Sequence, residues 1–480
     1  MALVFYDTET TGLHTSFDQI LQFAAVLTDA NFKEIDRFEI RCRLLPHIVP
    51  SPKAIHINQI SVARLTERSL STHYEMVCQI REKLLAWCPA NFVGYNSISF
   101  DEHLIRQALY QCLHSPYLTN APGNARADVM RILQFASVVA PNSFAIPLND
   151  DGKPSFKLAR IAPANGYSHT RAHDAIGDAE ATLYLARLIS ERTPEVWSSA
   201  MRFSQKAAVI DFVTSEPMFL LTDNYFGVSY SWLVTYLEKN PENSSELYVY
   251  DLAIDPNELG GLNDDALLAR MTVSPKPVRR LRANAAPNLL PAADAPATAF
   301  IGCIRMEELD RRASMLAADQ ELRARIVAAF KRSRGEKEAS VHLEEQIYDD
   351  FTSDEDARIL AEFHGAPWET RAAILTRLKD VRLRKLGRRL IYLERPDVLD
   401  AKTRNEFERA VARRVTVRDD SVPWLTLPKA ILELDSMMAE VEDPGGQLSE
   451  LAVHLDYWKS KATSLLAADP EPKAPALSTD

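Results

Sequence analysis

The chain has 480 residues, 46% hydrophobic and 25% charged, with 66 acidic and 55 basic side chains for a net charge of −11. These are globular values that exclude intrinsic disorder, and the length implies two to four domains at roughly 100–200 residues each. Fifteen glycines exclude collagen-like repeats, no apolar run nears the ~20 residues that span a bilayer, and the acidic balance means that any nucleic-acid partner needs a local basic track.

The N-terminus, MALVFYDTET, has no basic start and reaches an acid at Asp7, which argues against a secretory signal and for a cytoplasmic protein. Residues 3–6, 22–28 and 92–95 read as short apolar strands. Val77, Ile80, Leu84 and Leu85 predict a helix over 75–87, and Leu104, Ala108 and Leu109 predict one over 102–113. Alternating strands and helices give an α/β unit with a central sheet. A helix over 172–190 ends near Thr193-Pro194, where proline disfavours helix in the residue before it, so a first domain spans 1–192.

Residues 195–340 change texture. Predicted strands at 209–213, 218–222 and 247–254, separated by turn-rich stretches, make a small β-rich domain. Within it, 287–296 reads as a surface loop, a helical pair follows around 307–332, and 332–338 reads as a charged linker. Residues 341–466 read as an all-α domain, with Ile374, Leu375, Leu378, Val381 and Leu386 at helical spacing. The tail 467–480 has too little apolar content to pack and is expected to be disordered. Five cysteines (42, 78, 88, 112 and 303) without a C-x-x-C pair indicate reduced thiols, mostly buried.

The chemistry begins at Asp7-Thr8-Glu9. Residues i and i+2 of a strand share a face, so these two carboxylates stand side by side and favour a hard divalent cation between them. Taken alone, the pair also fits a solvated strand end. Asp101 opens the predicted 102–113 helix after Asn96-Ser97-Ile98-Ser99-Phe100, where it serves either as a helix-start acid or as part of a site. His173 and Asp178 open the last helix of the first domain, His173 in the entry turn and Asp178 one turn inside. His169 and His173 have the four-residue spacing of a zinc-binding pair, but the Glu of H-E-x-x-H is missing, and neither phosphate-binding glycine loop occurs.

Taken in order, D-x-E, then N-x-x-S-F-D, then H-x-x-x-x-D resembles the DEDDh superfamily of 3′→5′ exonucleases over residues 1–192. The resemblance implies a ribonuclease-H-like fold, with Asp7, Glu9, Asp101 and Asp178 around two Mg²⁺ ions, Mn²⁺ as a substitute, and His173 as general base. Asp7, Glu9 and Asp178 are the implied metal ligands. A neutral imidazole, with a reference pKa of ~6.5, suits that base role.

The stretch from Asp150 to Leu158, DDGKPSFKL, with Ala164-Asn165-Gly166 and Ala172-His173-Asp174-Ala175, is similar to the bacterial exodeoxyribonuclease I family, as are Tyr225-Phe226-Gly227, Ser231-Trp232 and the residues from Gln346 to Asp354. That resemblance implies an SH3-like fold for the β-rich domain and a passage for single-stranded DNA, degraded from its 3′ end to mononucleotides. It places Glu9, Lys157, Arg106, Tyr117 and Arg131 on the DNA path. Lys157 stands where the family usually has arginine, keeping the charge but not the bidentate fork. It also implies a monomer, a role in DNA repair, and docking of the single-stranded-DNA-binding protein through its acidic C-terminal tail, with Arg305, Arg311 and Arg323 as candidate contacts.

Two basic tracks offset the global charge: the alternating segment 276–282, and 377–389 with seven cations against Asp380 alone. Each also fits a solvated face paired with local acids. Tyr225, Phe226, Tyr230 and Trp232 suit base stacking, although aromatics in a small β domain more often fill its core. Two other readings stay open on the residues: an RNA-trimming exonuclease of the same superfamily, and a non-catalytic DNA-binding scaffold.

Overall fold

The computed structural model describes residues 1–168, 173–225, 227–296, 304–335, 339–440 and 446–467. Its first sheet has the order β3-β2-β1-β4-β5, formed by β1 (Ala2–Thr10), β2 (Ile20–Thr28), β3 (Glu34–Arg41), β4 (Ala90–Gly94) and β5 (Ala125–Asp128). The first three strands pair antiparallel, whereas β4 and β5 join parallel to β1. This is the expected α/β class. Sequence reading missed β3 because EIDRFEIR is charged and largely exposed, and β5 because four residues carry no period.

The second sheet is antiparallel, in the order β10-β6-β7-β8-β9, from β6 (Phe219–Tyr225), β7 (Val228–Lys239), β8 (Glu246–Asp251), β9 (Val278–Arg282) and β10 (Asn288–Pro291). Two expectations fail here. Residues 209–213 belong to a helix, Lys206–Ser215, whose Val209, Phe212 and Val213 pack on Phe219, Val234 and Leu247. An apolar run of five residues fits either a strand or one face of a helix, and the i, i+3, i+4 spacing prevails. Residues 288–291, read as loop, form an edge strand with Leu289 fully buried, and edge strands tolerate flanking prolines. The 332–338 linker begins inside the helix Gln320–Arg332, and 336–338 lie outside the described residues, as do Cys303 and the tail from 468.

The C-terminal region is helical, but the apolar series from Ile374 to Leu386 is split between Trp368–Leu375 and Val381–Glu394. Asp380 caps the second helix, and Asp356 accepts the backbone N–H of Lys379 and Asp380. Packing joins the first region to each of the other two. Val77, Ile80 and Leu84 share a core with Phe363, Leu386 and Leu390, while Leu133 and Ile189 share one with Leu220, Tyr250 and Ile326. Burying this apolar surface fixes the middle and C-terminal regions against the first. Cys42 and Cys112 are buried thiols and Cys78 and Cys88 half-buried ones. Among the described residues no helix is long and apolar enough to cross a membrane.

One joint between the first and C-terminal regions is a stack of rings. His114 and His364 lie 3.9 Å apart, centroid to centroid, with Tyr74 stacked on both. The Nε2 of His364 donates to the Leu113 carbonyl at 3.1 Å, so its Nδ1 accepts the Tyr74 hydroxyl at 2.8 Å. Burial, with His364 alongside, lowers the pKa of His114 to about 3, and burial lowers that of His364 to about 4. The unfolded chain then binds protons that the folded one refuses, so their contribution is full above the unfolded value of ~6.5 and lost as pH falls toward the folded values. The unfolding free energy should fall from pH ~6.5 to ~4, by up to about 1.4 kcal/mol per pH unit for each ring, and His364→Gln should flatten that slope. Calorimetry across that range checks it; an equal slope in the variant removes the pair from the account.

Candidate active site

Asp7 and Glu9 stand two apart on β1, just before the register shift between Glu9 and Thr10, so their carboxylates leave one face of the sheet. The helix Ala175–Arg192 crosses that face closely because the facing residues are small. Ala24, opposite Asp7 in the ladder, and Ala175 are fully buried and pack with Val26 and Ile176. This approach brings Asp178, in the first turn, to Asp7 and Glu9, with one carboxylate oxygen from each within 4.8 Å of the others.

Asp101 arrives from the neighbouring strand. β4 ends at Gly94, where a Cβ would lie 2.4 Å from the Ser97 Cβ, so glycine is needed for the following loop to fold back. Asp128 braces the same loop: it caps the helix Val129–Val139 and accepts the backbone N–H of Asn96 at 2.9 Å and of Ile98 at 3.3 Å. Asp101 becomes the first residue of the helix Asp101–Gln111, but its Oδ1 turns to β1. There it accepts the Thr8 backbone N–H at 3.1 Å and the Thr8 hydroxyl at 2.6 Å. Sequence reading missed Asp128; its signal was an Asp directly before an apolar helical run.

The crowding shows in the proton affinities. Burial and then Asp101, Asp178 and Glu9 raise the Asp7 pKa well above the carboxylate range. Burial, then Asp178, Asp101 and Asp174, push Glu9 up to about 8, and burial pushes Asp101 up to about 7 against the bonds from Thr8. Carboxylates this close cannot all ionise without a cation among them, and an all-oxygen donor set suits a hard divalent ion. Asp174, absent from the expected site, adds a further acid at the rim, where Gln22 donates to it at 2.7 Å and Arg41 at 3.0 Å. His173 immediately precedes Asp174 in the entry turn, as expected, with an exposed side chain and a left-handed backbone at φ 62°. His169 lies outside the described residues.

A groove of about 670 Å³ begins at Ile98 and Ser99, beside Asp101, and runs along the second sheet. Arg131, Lys276, Arg279, Arg280, Arg282 and Arg334 line it with Tyr225 and Trp232, and the Arg279 guanidinium lies 3.7 Å from the centre of the Trp232 ring. Tyr225 and Tyr230 are surface residues, 48% and 40% exposed, because the β6–β7 hairpin extends past the core. These two tyrosines therefore do not fill that domain's core, and Phe226 lies outside the described residues. A second groove, of about 340 Å³, shares His103 with the first and reaches Gln107, Glu345 and Tyr348.

The expected DNA-path residues divide. Lys157 is an exposed residue at the start of the helix Leu158–Ala164, and Arg131 lines the large groove while bonding Asp223 at 3.3 Å and the Ala285 carbonyl at 2.9 Å. Tyr117 is half-buried, whereas Arg106 is buried and its guanidinium is held by Glu102 at 3.0 Å. Of the two basic tracks, 276–282 faces the groove. In 377–389, Arg377, Lys379, Arg382 and Arg389 carry the carboxylates of Glu362, Glu355, Asp380 and Glu344, so paired charge prevails there.

Residues 4–186 match the exonuclease family model, and residues 342–461 match the exonuclease I C-terminal domain. Exodeoxyribonuclease I of Escherichia coli (strain K12) is 30% identical over 375 residues, which cover 74% of this chain and 77% of that protein. Among solved structures, E. coli exonuclease I in complex with a dA16 oligonucleotide aligns at a TM-score of 0.83 and 24% identity, over 95% of this chain and 99% of that one. A structure of SSB/exonuclease I in complex with the inhibitor CFAM aligns at 0.81 and 24% identity, over 95% and 99% of the two chains.

If repulsion among the acids is relieved by a divalent ion, Asp7→Asn should melt roughly 2–4 °C above the unsubstituted protein in chelator. The unsubstituted protein should gain stability with Mn²⁺ or Mg²⁺, and the variant should lose most of that gain. Melting curves with and without metal decide it; a variant that melts lower in chelator, or that keeps the full metal-induced rise, would remove Asp7 from the cluster.

Proposed function

The chain belongs to the exodeoxyribonuclease I family, and from that premise we propose that it degrades single-stranded DNA from the 3′ end to 5′-mononucleotides by two-metal-ion phosphodiester hydrolysis. The observation that carries this reading is the convergence of Asp7, Glu9 and Asp178 within 4.8 Å, in a fold whose cation-lined groove starts at Ile98 and Ser99, in the loop that leads to Asp101. Asp7, Glu9 and Asp178 would hold the ions, Mg²⁺ with Mn²⁺ as a substitute, and Asp101, anchored on Thr8, completes the cluster. Such ions, when bound, acidify the attacking water and stabilise the leaving 3′-oxygen.

In the proposed reaction, His173 at the exposed entry turn accepts the proton of the attacking water. Glu9 serves the substrate as well as the ions, and Lys157 and Arg131 contact the strand. Arginines and exposed aromatics in one groove suit sequence-independent single-strand binding through phosphate contacts and base stacking. Tyr117 adds a ring with the Arg106 guanidinium 5.7 Å from its centre, so the buried Arg106 acts through Tyr117. We place these parts in units 1–192, 195–340 and 341–466 of a cytoplasmic monomer acting in DNA repair, with an SH3-like middle unit. The single-stranded-DNA-binding protein docks through its acidic tail; of its three candidate contacts, Arg311 already pairs with Glu308 and Asp255 and Arg323 donates to the Leu237 carbonyl, while Arg305 is exposed.

Incubating the protein with 3′- and 5′-labelled single strands of DNA and matched RNA, with Mg²⁺ or chelator, tests the reading. Mononucleotide release from the 3′ end of DNA, dependent on metal, is expected. Release from the 5′ end, or preference for RNA, would overturn it, and absence of any turnover would favour the scaffold reading. His173→Ala should lower kcat by about 10²–10⁴-fold and leave strand binding in chelator unchanged, as a lost general base does. Single-turnover rates check this, and a rate within a few-fold of the unsubstituted protein would rule His173 out as the base.

A further inference from the structure

Glu102 follows Asp101 in the chain but is only 1% exposed, and its carboxylate is turned into the protein. It accepts the Nε of Arg106 at 3.0 Å, an N–H of Arg126 at 3.0 Å, the Tyr6 hydroxyl at 3.3 Å and the Thr119 hydroxyl. Burial alone would raise its pKa, yet Arg126 and Arg106 hold it below the usual value, so it stays a carboxylate. The donors come from β1, β5, the Leu118–Asn120 turn and the helix that Asp101 opens.

Both guanidiniums reach further. Arg126 also donates to the carbonyl of Asn284, and Arg131, from the helix that follows β5, donates to that of Ala285 at 2.9 Å. The Asn288 side chain returns a bond to the Arg131 carbonyl at 3.0 Å, and Ala285 and Asn288 line the large groove. On the other side, Arg106 lies against Tyr117, whose ring is 5.8 Å from that of Phe351. Gln107 donates to the Glu344 carbonyl at 2.7 Å, closing the same seam.

We propose that Glu102 is a positioning residue: one buried anion that holds the 284–288 wall of the large groove through Arg126 and the Tyr117–Phe351 ring contact through Arg106, in fixed relation to the neighbouring Asp101. The inference rests on the exonuclease reading and names what sets the spacing of its substrate groove. An amide in place of the carboxylate would leave two buried guanidiniums without a counter-charge, and their ties to the wall and to the ring contact would slacken. Strands long enough to run along the groove past 284–288 depend on this spacing, whereas a dinucleotide that occupies only the carboxylate cluster does not.

Steady-state kinetics on a long single strand and on a dinucleotide test it. Glu102→Gln should raise KM for the long strand roughly tenfold or more, with kcat changed less than about threefold, and raise the dinucleotide KM far less. Arg126→Met removes the tie to the 284–288 wall together with one of the two counter-charges of Glu102, leaves the Arg106 side in place, and should give a smaller rise of the same kind; it carries the test if Glu102→Gln does not fold. The double variant should be no worse than Glu102→Gln alone, because the two act through one network. An unchanged long-strand KM, or equal losses on both substrates, would overturn the inference. The unsubstituted protein on the same strand tests the exonuclease reading separately; if it shows no turnover, strand affinity in chelator carries the same comparison among the variants.

Discussion

Mutual repulsion among carboxylates that cannot move apart is the constraint on which the rest of the first region depends. Asp7 and Glu9 are held by a strand ladder, Asp101 by its bonds to Thr8, and Asp178 by a helix that two alanines allow close to the sheet. In water such charges would be screened from one another by solvent and dissolved ions, but burial removes that relief and drives their proton affinities upward. The fold therefore holds a locally unfavourable arrangement, stabilised by packing elsewhere. This is the pattern expected where stability is given up for a cation site.

The packing that offsets it is spread across the chain. Because cores are shared among the first sheet, the second sheet and the C-terminal helices, the later regions fix the groove as well as border it. Glu344, buried between Arg389 and Arg414 at 2.7 and 3.3 Å, plays in the C-terminal region the part Glu102 plays in the first, one anion shared by two guanidiniums. Burial raises the proton affinity of each, and the paired arginines more than reverse it. Such buried networks are weak sources of stability but costly to break on one side, which suits them to fixing geometry.

The convergence of Asp7, Glu9 and Asp178 and the entry-turn position of His173 were legible because a strand and a helix start impose fixed spacings on the side chains they carry. The helix of 206–215 and the strand of 288–291 were not, since a few apolar residues satisfy either period and only the partner surface decides. Arg106 shows a different limit. Its type and its place on the helix are plain from the sequence, but its carboxylate partner is the adjacent turn's Glu102, and burial converts a candidate phosphate contact into an internal brace. Asp128 escaped for a similar reason: capping is a local signal, while its bonds to Asn96 and Ile98 come from a loop across the sheet.

A net charge of −11 and a groove lined by six cations are compatible because the field that a strand meets is local. Low-dielectric walls concentrate the potential of the groove arginines, while acids distributed over the exterior disfavour polyanions elsewhere. The track at 377–389 shows the converse, since surface carboxylates on Arg377 and Lys379 offset part of a run that looks strongly basic in the sequence. Groove cations such as Arg279 keep part of their charge available by pairing at one edge, with Asp251 at 3.1 Å, while the guanidinium face rests on Trp232. That stacking fixes the guanidinium at the groove wall and covers one face of the Trp232 ring, which leaves the half-exposed Tyr225 as the open aromatic surface of the groove.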